Sequence, residues 1–393
     1  MRSKITISAF VIMLAFFVYI GIFAPKDVAS VHEENREIKQ MPKFSTETLF
    51  GGTFSKDFED YLADNVGFRG KFTALSAKLN TYKGVTSKYG TLVSVNKGLG
   101  VGESSKGSLI ILDDKIMEIY REDKSALNMY IETLNKYAKT MPKTVNIYSM
   151  LIPTQIEFEC PNTGDSQKKT IDAVYKAEDE RIKTINVYDS LKKNTDDYIY
   201  FRTDHHWTQR GAYLGYCELA KKAGFDSVKL SDLQEESRKG FLGYLYNQAN
   251  DPDMKKHADT IEWFTRTENF TVSAHDKDEN GKYIDYETKM YNIPADEVKP
   301  KYSVFMGGDH SYLKMTSDIK NGKTICVIKD SYGNAMLPLL TNSYETVIAV
   351  DPRSYDGKVS ELVKKEKVDD LLILNYTFTT TFKDFIEKIE EIR

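Results

Sequence analysis

Cysteine is scarce in this chain: three in 393 residues, Cys160, Cys217 and Cys326. An odd, scattered trio without close spacing excludes a disulfide framework and a cysteine-based metal cluster. Cys217 and Cys326 sit inside apolar patterns and read as small buried hydrophobes. A basic stripe is also missing, and the formal net charge is −4. Nucleic acid is therefore excluded as a partner, since phosphate binding draws on clustered Lys and Arg. The glycines between positions 98 and 107 come close to a phosphate loop. They lack its Gly-Lys-Ser/Thr ending and a helix directly after it. Histidine and tryptophan are rare too, six and two residues, so their placement is informative. Two histidines and one tryptophan stand together in 201–211, Phe-Arg-Thr-Asp-His-His-Trp-Thr-Gln-Arg-Gly.

One long uncharged apolar run exists, residues 5–24, preceded by Arg2 and Lys4. Twenty helical residues reach about 30 Å, one bilayer core. The positive flank stays inside the cell, which sends the bulk of the chain across the membrane. Pro25-Lys26-Asp27 occupies the place of a small-x-small cleavage site, so an uncleaved anchor is expected rather than a signal peptide. Cleavage would make the protein secreted. The expected organisation is an anchor or signal over 1–27, a tether and helical arm over 28–90, and a catalytic domain over 91–393. Residues 227–302, charged and weakly periodic, read as an insertion or lid on that domain.

Along the domain, glycine-punctuated alternation at 92–112 predicts β-hairpins. Helical spacing predicts helices over 125–141 and 168–183, and apolar runs predict strands over 145–152, 184–188 and 198–201. Thr208 is placed to cap a helix running to Ala223, with Gly224 as its stop. In the last third, Thr324–Lys329, Thr346–Val350 and 371–374 are strand-length apolar runs. Helical segments near 334–340, 358–365 and 382–392 alternate with them. Such alternation implies an α/β domain with a parallel sheet flanked by helices, and sites in such sheets lie beyond the carboxyl ends of the strands. Ser331, in Lys329-Asp330-Ser331-Tyr332-Gly333-Asn334, occupies that position.

A serine hydroxyl needs a base to take its proton and a third group to orient that base. Asp204 and His206 are two apart, so in an extended loop they project to one side while His205 points away. That alternation selects His206 over His205 as the base, with Asp204 orienting it and Ser331 as the nucleophile. Helix-start N–H groups beside Ser331 are expected to serve an oxyanion. Gly308 in the Met306-Gly307-Gly308-Asp309-His310 turn, with Asn334, Arg353 and His205, completes the oxyanion and substrate-binding candidates. A metal site at the paired histidines is the less favoured reading, because adjacent residues point apart. A structural loop with a satisfied histidine is the bland one.

Asp204-His205-His206-Trp207, with Phe201-Arg202-Thr203 before it and Thr208 and Gly211-Ala212 after it, resembles the signature of the bacterial DHHW family. The block around Ser331 resembles that family's serine block. Both are similar to segments of alginate-type polysaccharide O-acetyltransferases, whose domain is SGNH-hydrolase-like with the Asp-x-His motif ahead of the serine. The resemblance implies a circularly permuted SGNH-like fold, with Ser331 as nucleophile, His206 as general base and Asp204 as its partner. It also implies acetyl transfer to a cell-surface or exported polysaccharide, and a membrane-bound O-acyltransferase partner that delivers the acetyl donor. No cofactor and no metal are expected. An acetyl esterase with the same triad, and a non-catalytic sugar-binding or scaffold subunit of a polysaccharide export complex, remain open. The acceptor alone separates transferase from esterase.

Overall fold

The computed structural model describes residues 6–8, 10–13, 15, 16, 19, 40–65, 67, 68, 86, 87, 90–94, 108–249, 251–266, 270–278 and 280–393. Much of the apolar run 5–24 and the tether at 28–39 lie outside these. Among the described residues, no helix is long and apolar enough to cross a membrane. Two compact units emerge: Met1–Thr86 with Tyr246–Lys256, and Ser87–Leu245 with His257–Arg393. The first contains helices α1 (Thr46–Phe50), capped by the Ser45 hydroxyl, and α2 (Thr53–Asn65). The rings of Phe54 and Phe58 stack along α2. Of the aromatic arm expected over 54–72, residues 66 and 69–72 lie outside the described set.

The second unit opens with β1 (Gly90–Ser94), β2 (Ser108–Leu112) and β3 (Lys115–Glu118), paired antiparallel in succession. Helix α3 (Lys124–Thr140) starts at Asp123, whose carboxylate accepts the Ser125 and Ala126 N–H groups. It buries Leu127, Tyr130, Leu134 and Tyr137, one face at helical spacing. Strand β4 (Asn146–Ile152) is buried at every residue after the first, as befits a strand covered on both faces. Next come α4 (Gln167–Ala177), β5 (Ile182–Thr184) and α5 (Tyr188–Lys193). The strand expected at 184–188 is thus displaced toward the N-terminus, and Tyr188 begins a helix. Glu178 has extended backbone, and its carboxylate accepts the Ser149 and Thr184 hydroxyls. That ties the chain to β4 before the apolar run begins. The strand expected at 198–201 is reduced to a single bridge, Tyr200 to Trp207.

Helix α6 (Gln209–Ala223) is capped by Thr208, whose hydroxyl accepts the Gly211 N–H, and stops at Gly224 with φ 81°. The segment 227–302 is not an aperiodic lid. It holds β6 (Gln234–Phe241), α7 (Tyr244–Ala249), β7 (Asp259–Thr265), β8 (Thr271–Lys277) and β9 (Tyr283–Glu287). β6 and β7 form a separate antiparallel pair, while β8 and β9 belong to the central sheet. In β8 only Val272 and Ala274 are buried, and the polar His275-Asp276-Lys277 follow, so the alternation that marks a strand spans just four residues.

The remaining elements are β10 (Tyr312–Thr316), β11 (Thr324–Lys329), α8 (Gly333–Leu340), β12 (Thr346–Val350), α9 (Val359–Lys365), β13 (Asp370–Tyr376) and α10 (Lys383–Glu391). The eight-stranded sheet runs β9-β8-β10-β12-β11-β13-β4-β5. From β12 to β5 all pairings are parallel; β8, β9 and β10 add antiparallel pairings. The sheet is therefore mixed, where a purely parallel one was expected. Its interior is closed by residues such as Ile325, Val327, Leu372 and Ile373, all fully buried. The turns after β11 and β13 meet at Asp330. Its buried carboxylate accepts the Tyr332 and Tyr376 N–H groups and the Thr379 hydroxyl.

Candidate active site

Residues 199–208 double back as a tight loop, with Thr208 N–H donating to Ile199 O and Phe201 N–H to His206 O. Its tip is held from beneath by Asp259 at the start of β7. That carboxylate accepts Arg202 N–H at 2.9 Å, Thr203 N–H at 2.8 Å, the Thr203 hydroxyl at 2.5 Å and the Tyr198 hydroxyl at 2.5 Å. Burial pushes the Asp259 carboxyl up, and the donors around it oppose that shift. Trp207 turns inward, fully buried, and its indole N–H donates to Tyr332 O at 2.9 Å. Gln209 donates to Ala335 O at 3.0 Å. Two bonds thus fasten the histidine loop to the start of α8, the segment that follows Ser331.

With both segments fixed, three side chains fall into line. His206 Nδ1 lies 2.5 Å from Asp204 Oδ1, and His206 Nε2 lies 2.7 Å from Ser331 Oγ. Asp204 also accepts the His206 N–H at 3.0 Å and, through its second oxygen, the Tyr244 N–H at 2.7 Å. Burial works to raise the Asp204 carboxyl. The neighbouring His206 and His205 and the bonds from His206 and Tyr244 outweigh it, holding the group well below the usual carboxylate range. An ionised Asp204 at Nδ1 keeps a proton on that nitrogen and leaves Nε2 free to accept from the serine. The whole chain of bonds holds one hydroxyl, one imidazole acceptor and one fixed anion. It is suited to moving a proton off Ser331.

The family model for the DHHW protein family matches residues 88–350. The chain belongs to the DHHW family. A crystal structure of a DHHW family protein from Eubacterium siraeum is similar at TM-score 0.64 and 25% identity, covering 76% of this chain and 98% of that one. Bacillus cereus PatB1 aligns at TM-score 0.59 and 19% identity, over 70% of this chain and 97% of that one. The O-acetyltransferase domain of Pseudomonas putida AlgJ aligns at TM-score 0.39 and 11% identity, over 73% of this chain and 100% of that one, too distant to argue from. Comparison with curated proteins gives no match.

The other residues singled out in this DHHW chain fall differently. The helix-start donors beside Ser331 are engaged: Tyr332 N–H with Asp330 Oδ1, Gly333 N–H with Asp330 O, and Asn334 N–H with Ser331 O. Gly308 N–H is donated to Phe305 O at 3.1 Å, so it is not free to meet an oxyanion. Asn334 and Arg353 converge on Asp309, with Asn334 Nδ2 at 2.8 Å from Oδ1 and an Arg353 nitrogen at 2.6 Å from Oδ2. Lys329 joins them at 3.1 Å. Burial works to raise Asp309, but the two cations beside it hold it far below its ordinary value. His205 packs its ring 3.9 Å from that of His206, centroid to centroid. Burial and the adjacent His206 push His205 down to about 3, so it is neutral, and its buried Nδ1 has no hydrogen-bond partner among the described residues.

Asp204, His205 and His206 offer ligand atoms within 4.8 Å of one another. Asp204 Oδ1 and His206 Nδ1 already face each other at hydrogen-bond distance, so a cation there would take the place of that bond.

Sequence reasoning missed Tyr302, Gly243, Tyr244 and Asp259, all in the segment read as an insertion. Tyr302 stacks on His206 with centroids 3.7 Å apart and planes 8° apart. The available signal was local: Phe241-Leu242-Gly243-Tyr244-Leu245 is an apolar, glycine-centred run inside a charged stretch.

Proposed function

We propose that this DHHW protein is an O-acetyltransferase acting on a cell-surface or exported polysaccharide through an acetyl-Ser331 intermediate. The hydrogen-bonded line Asp204–His206–Ser331 carries the proposal, and the motif resemblance to alginate-type O-acetyltransferases supports acetyl as the group moved. In the first half-reaction Ser331 Oγ attacks the acetyl carbonyl while its proton passes to His206 Nε2. The Oγ–carbon bond forms, the bond to the donor's leaving group breaks, and the leaving group takes the proton from His206. In the second, a sugar hydroxyl gives its proton to His206 and attacks the acetyl carbon; the bond from that carbon to Oγ breaks, and Ser331 Oγ takes the proton back from His206. Asp204 holds the Nδ1 proton throughout and offsets the charge that His206 gains.

The apolar run 5–24 with its basic flank supports a membrane-anchored protein whose bulk lies outside the cytoplasm. Acetyl groups made inside the cell must then cross the bilayer, which calls for a membrane-bound O-acyltransferase partner. Water in place of the sugar hydroxyl converts the same site to an acetyl esterase. The deciding test is product analysis. Protein, an activated acetyl ester and a panel of neutral and acidic oligosaccharides are incubated together, and the sugars are weighed by mass spectrometry. Acetylated sugar formed by wild type and not by Ser331→Ala supports the transferase. Free acetate alone, lost in Ser331→Ala, supports the esterase. No Ser331-dependent turnover with any acceptor contradicts both.

A further inference from the structure

Tyr302 touches both ends of the proton path. Its ring lies flat on the His206 imidazole, and its hydroxyl donates to the backbone carbonyl of Ser331 at 3.2 Å. His205 contacts the same imidazole at 3.9 Å, tilted by 35°. The rings of Tyr302 and His205 make no contact with each other, so two partners this close must occupy opposite faces of His206. The imidazole is clamped, leaving its edge nitrogens for Asp204 and Ser331. Edge contacts from Phe201 and Phe305 hold the Tyr302 ring in turn.

We infer that Tyr302 is a positioning residue of this site, fixing the plane of His206 and favouring its protonated form through the aromatic face. The inference rests on the reading of His206 and Ser331 as base and nucleophile. A cation over an aromatic face is attracted by the ring's negative quadrupole, and the clamp places that face against the ring that takes the serine proton. The other groups facing His206 do not supply this. Asp204 acts in the ring plane through Nδ1. His205 is neutral, and Tyr332 is tilted at 5.1 Å with its hydroxyl turned to His205 O. Farther charges act one step removed: Glu118 bears on Asp204, and Asp309 and Asp330 bear on Tyr302. Among the described residues, Tyr302 alone presents a parallel π face to the imidazole.

The test is the titration midpoint of His206, followed by NMR in the full chain with labelled histidine, beside the pH profile of Ser331 acylation by an activated acetyl ester. Tyr302→Leu is expected to lower the midpoint by about half a pH unit and to slow acylation about tenfold through lost alignment. Tyr302→Phe keeps the face and should leave the midpoint in place. Where Tyr302→Leu does not fold, pentafluorophenylalanine at 302 keeps the shape and reverses the quadrupole, and is expected to lower the midpoint relative to Tyr302→Phe. An unchanged midpoint in the folded leucine variant, or equal midpoints for the phenylalanine and its fluorinated form, overturns the inference. Failure of wild type to acylate at Ser331 is a separate result, against the reading of the site; the midpoint still decides the role of the Tyr302 face.

Discussion

A Cβ placed on Gly243 would stand 2.3 Å from the Cβ of Asp204. The two residues are 39 apart in sequence, yet only glycine allows the chain to run this close behind the aspartate. The next residue, Tyr244, can then donate its N–H to Asp204 Oδ2, while Gly243 N–H reaches the Thr203 hydroxyl at 3.0 Å. Gly243→Ala therefore pushes the platform off the loop. A loss of about 2 kcal/mol is expected from overpacking, together with a large drop in activity, read by urea unfolding and ester turnover on the same sample. A fully active, equally stable alanine variant would contradict this geometry.

Asp204→Asn tests the anion rather than the packing. The amide keeps the size of the carboxylate but can present N–H to Nδ1, which favours the tautomer with its proton on Nε2, facing Ser331. Turnover is expected to fall on the order of 10³–10⁴-fold with the fold intact, measured by single-turnover acylation and circular dichroism.

His205 links the site to acid stability. Its folded value, about 3, lies below its ordinary 6.5. A depressed folded value means that the neutral form is the one that folds, so its contribution is full above 6.5 and is lost as pH falls toward 3. The slope approaches about 1.4 kcal/mol per pH unit in that window. His205→Phe is expected to flatten the stability profile there by up to one proton, read from denaturant midpoints at stepped pH. An unchanged slope would show that His205 is not the group being titrated.

Asp259 gathers four donors from the segment 198–203. Asp259→Ala leaves them buried without an acceptor, and a loss of about 3 kcal/mol is expected. Catalysis should fall with it, since the loop that carries Asp204 and His206 loses its anchor. Thermal unfolding and turnover together check the pair of effects.

How much of this was legible depends on whether a residue's place is set by its neighbours in sequence. Asp204 and His206 were paired by their spacing of two, yet residues 202–206 are bends rather than extended backbone, and His205 packs on His206 instead of pointing away. Ser331, half-buried, follows from the end of an apolar run two residues before it. Strands β11 and β12 were likewise marked by unbroken apolar runs, since burial on both faces leaves no polar residue to confuse the reading. β8 and β9 were missed for the opposite reason: they face solvent on one side or along most of their length. Tyr302 and Asp259 carry no local signature, and Gly243 has only the short apolar run 241–245 around it. Each reaches the site only once the chain has folded back across it, and a charged stretch gave no reason to look there. The donors beside Ser331 illustrate a third limit: a helix start offers free N–H groups in principle, but Asp330 and the Ser331 carbonyl had already taken them.

The proposed mechanism requires that Ser331 is acylated while His206 takes up its proton and Asp204 holds the imidazole. Intact-mass spectrometry after brief exposure to an activated acetyl ester tests it most directly, with wild type beside Ser331→Ala and His206→Ala. One acetyl group per chain is expected, mapped to Ser331 by peptide analysis, absent in the first variant and greatly slowed in the second. A folded wild type that takes up no acetyl group, or one whose adduct persists in Ser331→Ala, would contradict it.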